Sequence, residues 1–231
     1  MKGETMKHIF LWMLGCLFCG VVNAQEQRLF DEYLREAGDR AEMFVGKMET
    51  GYASTVFINH PYWLSDEFLV GEVRYKGMLY KNVLLRYDAF LNQLVVKTPE
   101  KQANVYIPMH AVEGFSIGGL VYAKHDDEFM AVHYDGSHME LLEQMRVKMK
   151  ENMNHENLQY EFKRNVNYYL LNDGRMYEVT NMRSVLKLYP GLEKELKRFS
   201  KMNNLNFKEN RQSSLVSLVK YADELLSKSL K

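Results

Sequence analysis

The chain has 231 residues, of which 46% are hydrophobic and 13% aromatic, and its 30 basic and 30 acidic side chains give a formal net charge of zero. This balance argues against nucleic acid as a partner and against general attraction to anionic lipid, because both require a basic surface. The length and composition are those of a folded protein with one sizeable core or two small ones.

The first 24 residues carry the three parts of a secretory signal peptide. Two lysines precede an apolar run over residues 9–22, and the run ends in Val22-Asn23-Ala24. This order predicts cleavage between Ala24 and Gln25 and export to the periplasm or the extracellular space. The apolar run is shorter than the about 20 residues that cross a bilayer. We therefore expect no transmembrane span after cleavage, and an uncleaved anchor is the alternative.

The only two cysteines of the chain, Cys16 and Cys19, both lie within the predicted signal peptide. A mature chain beginning at Gln25 would contain no cysteine, which excludes disulfides, cysteine nucleophiles and thiolate metal sites. A second alternative uses Cys16 itself, because Leu14-Gly15-Cys16 loosely resembles a lipoprotein cleavage site. In that case the protein would be an outer-membrane lipoprotein.

Residues 26–37 predict a short helix, because Leu29, Phe30, Tyr33 and Leu34 recur at helical spacing. The period then changes to two, which is typical of strands with one buried face. This pattern predicts strands over residues 71–76, 78–88, 93–98, 103–108, 115–124, 128–134 and 139–150. The last segment fits a helix nearly as well, but it follows a hairpin turn and is interpreted as a strand. Gly118-Gly119 is interpreted as a bulge or bend, and residues 151–157 as a polar connection.

The remainder of the chain predicts a β-hairpin followed by helices. Strands over residues 158–171 and 176–180 flank the turn sequence Asn172-Asp173-Gly174-Arg175. Asn181 or Thr180 can cap a helix, Pro190 can begin the next one, and residues 211–228 form a last amphipathic helix.

Together these elements predict an α+β fold, with a curved antiparallel β-meander that forms a barrel or half-barrel. A short N-terminal helix precedes the meander and a C-terminal helical cap follows it. The predicted organisation is a signal peptide (1–24), an N-terminal helix with the β body (25–157), and a hairpin with the helical cap (158–231).

Two stretches carry a resemblance to a known family. The first runs from Gly46-Lys47 through Asn59-His60-Pro61-Tyr62-Trp63 and Gly71–Val83 to Leu85–Asp88. The second comprises Tyr168-Tyr169-Leu170, Asp173-Gly174, Leu186–Pro190 and the two closing helices. In these stretches the chain resembles a family of exported proteins from Bacteroidetes-type bacteria that has no established activity. The resemblance covers most of the chain after residue 24, implies export, and supplies no catalytic residues.

The histidines nearest to one another, His125, His133 and His138, are the candidate metal ligands. Ligands must converge at about 2 Å from a metal ion. If residues 128–134 form a strand, His125 and His138 lie near its opposite ends, too far apart for one ion. We therefore predict no metal site, with a solvated turn as the role of the His125 region.

Tyr62 and Trp63 are the candidate binding residues. Their rings, in the unusual run Asn59-His60-Pro61-Tyr62-Trp63, could stack on a sugar or an apolar ligand. The alternative is that Pro61 shapes a corner and both rings plug one end of the barrel. Large aromatic side chains serve packing more often than binding, which favours the alternative.

No catalytic motif is recognisable. The chain lacks His-Glu-x-x-His, Gly-x-Ser-x-Gly and glycine-rich phosphate-binding patterns, and we predict no cofactor. The acidic residues 126–128 are adjacent along the chain, so on a strand their side chains would point to opposite faces and pair poorly. The sequence favours a non-enzymatic binding or interaction protein of the cell envelope, with an envelope protein, a glycan or a lipid as partner. The alternatives are a periplasmic carrier of an apolar or lipid ligand and a hydrolase whose site residues are dispersed along the chain.

Overall fold

The computed structural model describes residues 25–125, 127–154 and 157–229. The predicted signal peptide, including Cys16 and Ala24, lies outside the described residues. The helices are α1 (25–37), α2 (Met182–Leu188), α3 (Glu193–Met202) and α4 (Arg211–Ser229). Short 3-10 helices occupy Gly38–Arg40, Glu42–Phe44, Met109–Ala111 and Pro190–Leu192.

The strands are β1 (Lys47–Met48), β2 (Leu69–Tyr75), β3 (Met78–Asp88), β4 (Gln93–Lys97), β5 (Asn104–Tyr106), β6 (Val112–Ile117), β7 (Leu120–His125), β8 (Glu128–Asp135), β9 (Glu140–Asn154), β10 (Asn157–Asn172) and β11 (Arg175–Glu178). In the described part of the chain they form one sheet in the order β1-β5-β4-β3-β2-β6-β7-β8-β9-β10-β11. All neighbouring strands are antiparallel, and β1 and β11 are the two edges. The predicted α+β meander is confirmed, and it is an open, curved sheet rather than a closed barrel.

The Gly118-Gly119 pair forms a tight hairpin turn rather than a bulge. The predicted strand over 115–124 is divided there into β6 and β7, which pair from Gly114–Ala123 to Ile117–Leu120. Both glycines have positive φ, +56° and +84°. A two-residue hairpin turn with positive φ at both positions matches the twist of the strands that it joins, and glycine adopts it without strain.

The β9–β10 hairpin is longer than predicted. The strand interpretation of residues 139–150 is confirmed, but the polar connection predicted over 151–157 is wrong, because β9 continues to Asn154 and β10 begins at Asn157. The paired residues run from Glu140 opposite Leu171 to Asn154 opposite Asn157. Backbone hydrogen bonds between the strands therefore hold a segment whose polar side chains are typical of a loop. The boundary predicted between 157 and 158 falls at the start of β10, and one continuous sheet joins the two parts.

A segment without regular structure, residues 49–68, ties β3 to β10, and we call it the strap. Phe57 bridges to Tyr160 of β10, and Tyr62 bridges to Asp88 of β3. The Asn59 side chain makes two hydrogen bonds to the backbone of Phe162. Its Nδ2 donates to the Phe162 carbonyl at 2.9 Å, and its Oδ1 accepts from the Phe162 N–H at 2.7 Å. The strap therefore spans strands that lie far apart in the sheet order.

A buried polar network lies beneath the strap. Arg86 donates to Glu49 at 2.7 Å, and its guanidinium carbon lies 4.0 Å from the centroid of the Tyr62 ring. The Tyr62 hydroxyl donates to the same carboxylate at 2.6 Å. Asp88 is fully buried, and its burial raises the pKa of its carboxyl, although Tyr52 donates to it at 2.6 Å. These bonds pair the charged groups that the strap covers, although Arg86 Nε is buried with no hydrogen-bond partner among the described residues.

Two hydrophobic clusters form the core. In the first, α1 and the strap pack on the inner face of β2–β8, which is filled by rings such as the stacked pair Phe115 and Tyr122, 4.6 Å apart. In the second, α2–α4 pack on the part of the sheet that carries Leu141 and Leu170. The interior of the sheet is therefore packed with side chains.

The predicted cap at Asn181 is confirmed as a capping box with Ser184, which begins α2. Helix α4 contacts β8 and β9. Leu215, Leu218 and Val219 of its apolar stripe are fully buried. Within the described residues, no helix is long and apolar enough to cross a membrane.

Candidate functional site

The turn between β8 and β9 meets the C-terminal half of α4, where Asp223 is almost completely buried, with 4% of its surface exposed. Its carboxylate accepts hydrogen bonds at 2.9 Å from the Tyr134 hydroxyl and from the backbone N–H groups of Ser137 and His138. His138 Nδ1 lies 2.9 Å from the same carboxylate. An ionised carboxylate only accepts, so Nδ1 carries a proton; in the neutral tautomer that this bond selects, Nε2 is an acceptor.

The electrostatics of this turn favour an ionised Asp223. Burial by itself raises the pKa of the carboxyl, but hydrogen bonds from Ser137, Tyr134 and His138 outweigh it, and the net pKa lies below 3.8. In Tyr134, burial and then the hydrogen bond to Asp223 raise the pKa of the phenol to about 12. The aspartate therefore stays charged and holds the orientation of His138.

Gly136 allows the turn to approach α4 closely. A Cβ at this position would lie 2.4 Å from Asp223 Oδ2 and 2.4 Å from the Tyr134 ring. Both distances are far shorter than a van der Waals contact, so any side chain here would push Asp223 away from its donors. The Asp135-Gly136 pair, a turn signal in the sequence, thus has a second role in packing.

An open cavity of about 540 Å³ lies beside His138, and we call it the His138 cavity. The β8–β9 turn contributes His138 and the first residue of β9 contributes Glu140, while Asn172 ends β10 and Asp173 lies in the β10–β11 turn. Tyr189, which follows α2, and Ser137 complete the polar lining. Asn172 Nδ2 donates to the Tyr189 hydroxyl at 2.5 Å, which joins two of the contributing elements. The volume falls within the about 300–1,000 Å³ of ligand pockets.

Few of the polar groups in the His138 cavity are used by the fold. Among the described residues, none hydrogen-bonds to His138 Nε2 or to the carboxylate of Glu140. Ser227 Oγ lies 3.4 Å from Nδ1, the nitrogen already bonded to Asp223. A serine nucleophile would have to face Nε2 instead, so Asp223, His138 and Ser227 do not form a catalytic triad.

Tyr62 and Trp63, the predicted binding residues, lie in the core and not in the His138 cavity. Tyr62 is 3% exposed and Trp63 is 5% exposed. Trp63 packs edge-on against Tyr122 at 5.3 Å, and Tyr62 lies against the Arg86 guanidinium. Their surroundings match the packing alternative given for these rings.

The three candidate metal ligands have separate surroundings. His133 Nε2 lies 2.7 Å from Glu143, His138 bonds Asp223, and Nε2 of His125 is buried with no hydrogen-bond partner among the described residues. Within residues 25–125, 127–154 and 157–229, no group of three or more His, Cys, Asp or Glu side chains is placed to hold a metal ion. The structure therefore does not bring these histidines together.

A larger cavity of about 740 Å³ lies at the other end of α4, beside His133 and Tyr168. His133 is the residue that the β8–β9 register skips, and such bulges re-aim a side chain. Gln212 lies 2.9 Å from Nδ1 and Glu143 lies 2.7 Å from Nε2, so both ring nitrogens are engaged. The ring has no free nitrogen for a ligand, which makes this cavity the weaker candidate.

Asp223 and Glu140 are the site residues that the sequence patterns missed. Asp223 lies four residues after Val219 and three before Leu226, so it falls on the apolar stripe of α4. A carboxylate on a buried helix face requires a partner, which is the signal that could have identified it. Glu140 carries no comparable signal, because its role depends on the fold alone.

Comparison with protein-family models, with curated proteins and with solved structures finds no match to this chain.

Proposed function

We propose that the protein is an exported, non-enzymatic binding protein of the cell envelope, and that it holds a small polar ligand in the His138 cavity. One observation carries the proposal: a buried aspartate fixes an imidazole at the wall of a cavity where the fold leaves the carboxylate of Glu140 unused. A fixed polar group in a concave site costs little ordering entropy on binding, which favours affinity.

Export and location belong to the same proposal. The sequence of residues 1–24 and the resemblance to exported proteins of Bacteroidetes-type bacteria support them. Fractionation of cells that produce the full chain tests this part. The proposal expects a processed protein that starts at Gln25 and is released with the periplasm or the medium. A chain that stays attached to membranes through Cys16 would instead support the lipoprotein alternative.

A carrier of an apolar ligand would need an apolar cavity inside the sheet. Rings of the first hydrophobic cluster fill that space, among them Trp63, Tyr87 and Tyr122. The polar surroundings of His138 give better support to a polar ligand than to an acyl chain.

The experiment is a small-molecule screen monitored by amide chemical shifts, with three variants. His138→Asn keeps a donor near Asp223 but removes Nε2, and Glu140→Gln removes the free carboxylate. Glu195→Gln is the matched control, because Glu195 is an exposed carboxylate on α3. The proposal expects a ligand whose affinity falls about tenfold in the first two variants and is unchanged in the control. A ligand whose affinity is unchanged in both cavity variants would contradict the proposal.

The hydrolase alternative has one observation in its favour. An imidazole oriented by a carboxylate through Nδ1, with Nε2 left as an acceptor, is the arrangement of a general base. Turnover of an ester or glycoside substrate by the purified protein, abolished in His138→Asn, would establish this function and displace the non-enzymatic one.

A further inference from the structure

Most of the polar side chains that line the His138 cavity offer a hydrogen-bond acceptor. The carboxylates of Glu140 and Asp173 accept only, and His138 Nε2 accepts while Nδ1 donates to Asp223. One N–H of the Asn172 amide donates to the Tyr189 hydroxyl, which leaves its second N–H as a donor and its carbonyl as a further acceptor. The Tyr189 hydroxyl keeps its own proton, and the Ser137 hydroxyl also lines the cavity, so both can donate. A matching ligand must therefore present several donors and at least one acceptor.

The charge of the residues that line the His138 cavity further restricts the class of ligand. No lysine or arginine in the described part of the chain lines the His138 cavity, whereas Glu140 and Asp173 do. A phosphate, sulfate or carboxylate ligand would meet like charge with no cation to offset it. Anionic ligands are thus disfavoured.

The remaining lining is apolar or aromatic. Met139 and Leu171 line the cavity together with the ring of Tyr189. Burial raises the pKa of Tyr189, so its phenol stays protonated and keeps its hydroxyl as a donor. An amphipathic ring of this kind suits a ligand that has both C–H faces and polar edges.

From these groups we infer that the His138 cavity binds a neutral saccharide. The hydroxyls of a pyranose donate to Glu140, Asp173 and His138 Nε2, and its C–H face lies against the apolar and aromatic lining. The ring oxygen or a further hydroxyl accepts from Tyr189. This inference rests on the proposed function, since it names the ligand class of the same site.

Three probes on one ring scaffold test the charge preference: glucose, glucosamine and glucuronate, which are neutral, cationic and anionic. To vary the stereochemistry of the sugar, the neutral panel also includes galactose, mannose, xylose and N-acetylglucosamine as methyl glycosides. Binding to the purified protein is followed through the amide shifts of Ser137 and Gly174, at two salt concentrations. His138→Asn and Glu140→Gln are the test variants and Glu195→Gln is the control.

We expect at least one neutral sugar to shift both amides, with affinity that is insensitive to salt and at least about tenfold weaker in the two cavity variants. Glucuronate should bind more weakly than glucose. Glucosamine binding about tenfold tighter than any neutral sugar, with strong salt dependence, would overturn the saccharide inference and leave the proposed function intact. The same holds if no sugar binds but another small molecule binds in a His138-dependent way. If no small molecule shows such dependence, both the inference and the proposed function fail.

Discussion

His138 and Asp223 are 85 residues apart in the chain, yet Nδ1 of the histidine lies 2.9 Å from Oδ1 of the aspartate. The contact joins the β8–β9 turn to α4 and fixes which ring nitrogen carries the proton. The wall of the cavity and the position of the terminal helix therefore depend on the same buried carboxylate.

Asp223→Asn should lower the free energy of unfolding by about 2–4 kcal/mol at neutral pH. The amide has one accepting oxygen in place of two, and its NH₂ group would face donors from Tyr134, Ser137 and His138. Urea denaturation measures the loss. Glu224→Gln is the control, because Glu224 is the next carboxylate on the helix and is exposed. Equal effects of the two substitutions would contradict the role given to Asp223.

The same carboxylate should make stability depend on pH. The pKa of Asp223 in the folded state lies below its ordinary value of 3.8, so the unfolded chain binds this proton more readily. Its contribution is present above pH 3.8 and is lost as the pH falls through the folded pKa. The difference in stability between the wild type and Asp223→Asn should shrink from about pH 7 to about pH 3. A difference that stays constant would show that Asp223 does not titrate in this way.

Asn59→Ala should detach the strap from β10. The substitution removes both hydrogen bonds to the backbone of Phe162, at a cost of about 1–3 kcal/mol. Hydrogen exchange at the Phe162 amide should accelerate more than exchange at amides of β9. Asn165→Ala, an exposed site on the same strand, is the control. Unchanged protection of Phe162 would mean that other contacts hold the strap.

Gly71→Ala should cost about 3 kcal/mol or more, or prevent folding. A Cβ at Gly71 would lie 1.9 Å from the carbonyl oxygen of Ser116 on the paired strand β6, and a backbone atom cannot move aside cheaply. Gly191→Ala is the matched control, because a Cβ there meets nothing within 4 Å. It should change stability by less than about 1 kcal/mol. Normal folding of Gly71→Ala would show that the close approach is not required.

The features that the sequence predicted well are local ones. Alternation places Val73 and Tyr75 on one face of β2, and Gly77 marks the turn to β3, because each depends only on neighbouring residues. The helix cap at Asn181 likewise depends only on neighbouring residues. The paired ends of β9 and β10 carry polar side chains, so the sequence pattern did not predict them as strands. Pairing between the strands stabilises these ends, and burial of their side chains does not.

The site was less predictable, because it is assembled from distant segments. His138 was among the candidate residues, but as a metal ligand, and the turn sequence does not reveal its partner Asp223. The sequence run that contains Tyr62 and Trp63 is unusual, and in the structure both residues anchor the strap over the core. Only the pairing of strands and the placement of α4 reveal which of these residues border a cavity.

Crystallographic fragment screening tests the central claim most directly, because it locates binding without assuming the ligand. Small polar fragments soaked into crystals of the protein should collect in the His138 cavity, with a hydrogen-bond donor on His138 Nε2 or Glu140. Crystals of His138→Asn should lose these fragments and retain any that bind elsewhere. A His138 cavity that stays free of fragments while other surfaces bind them would contradict the account.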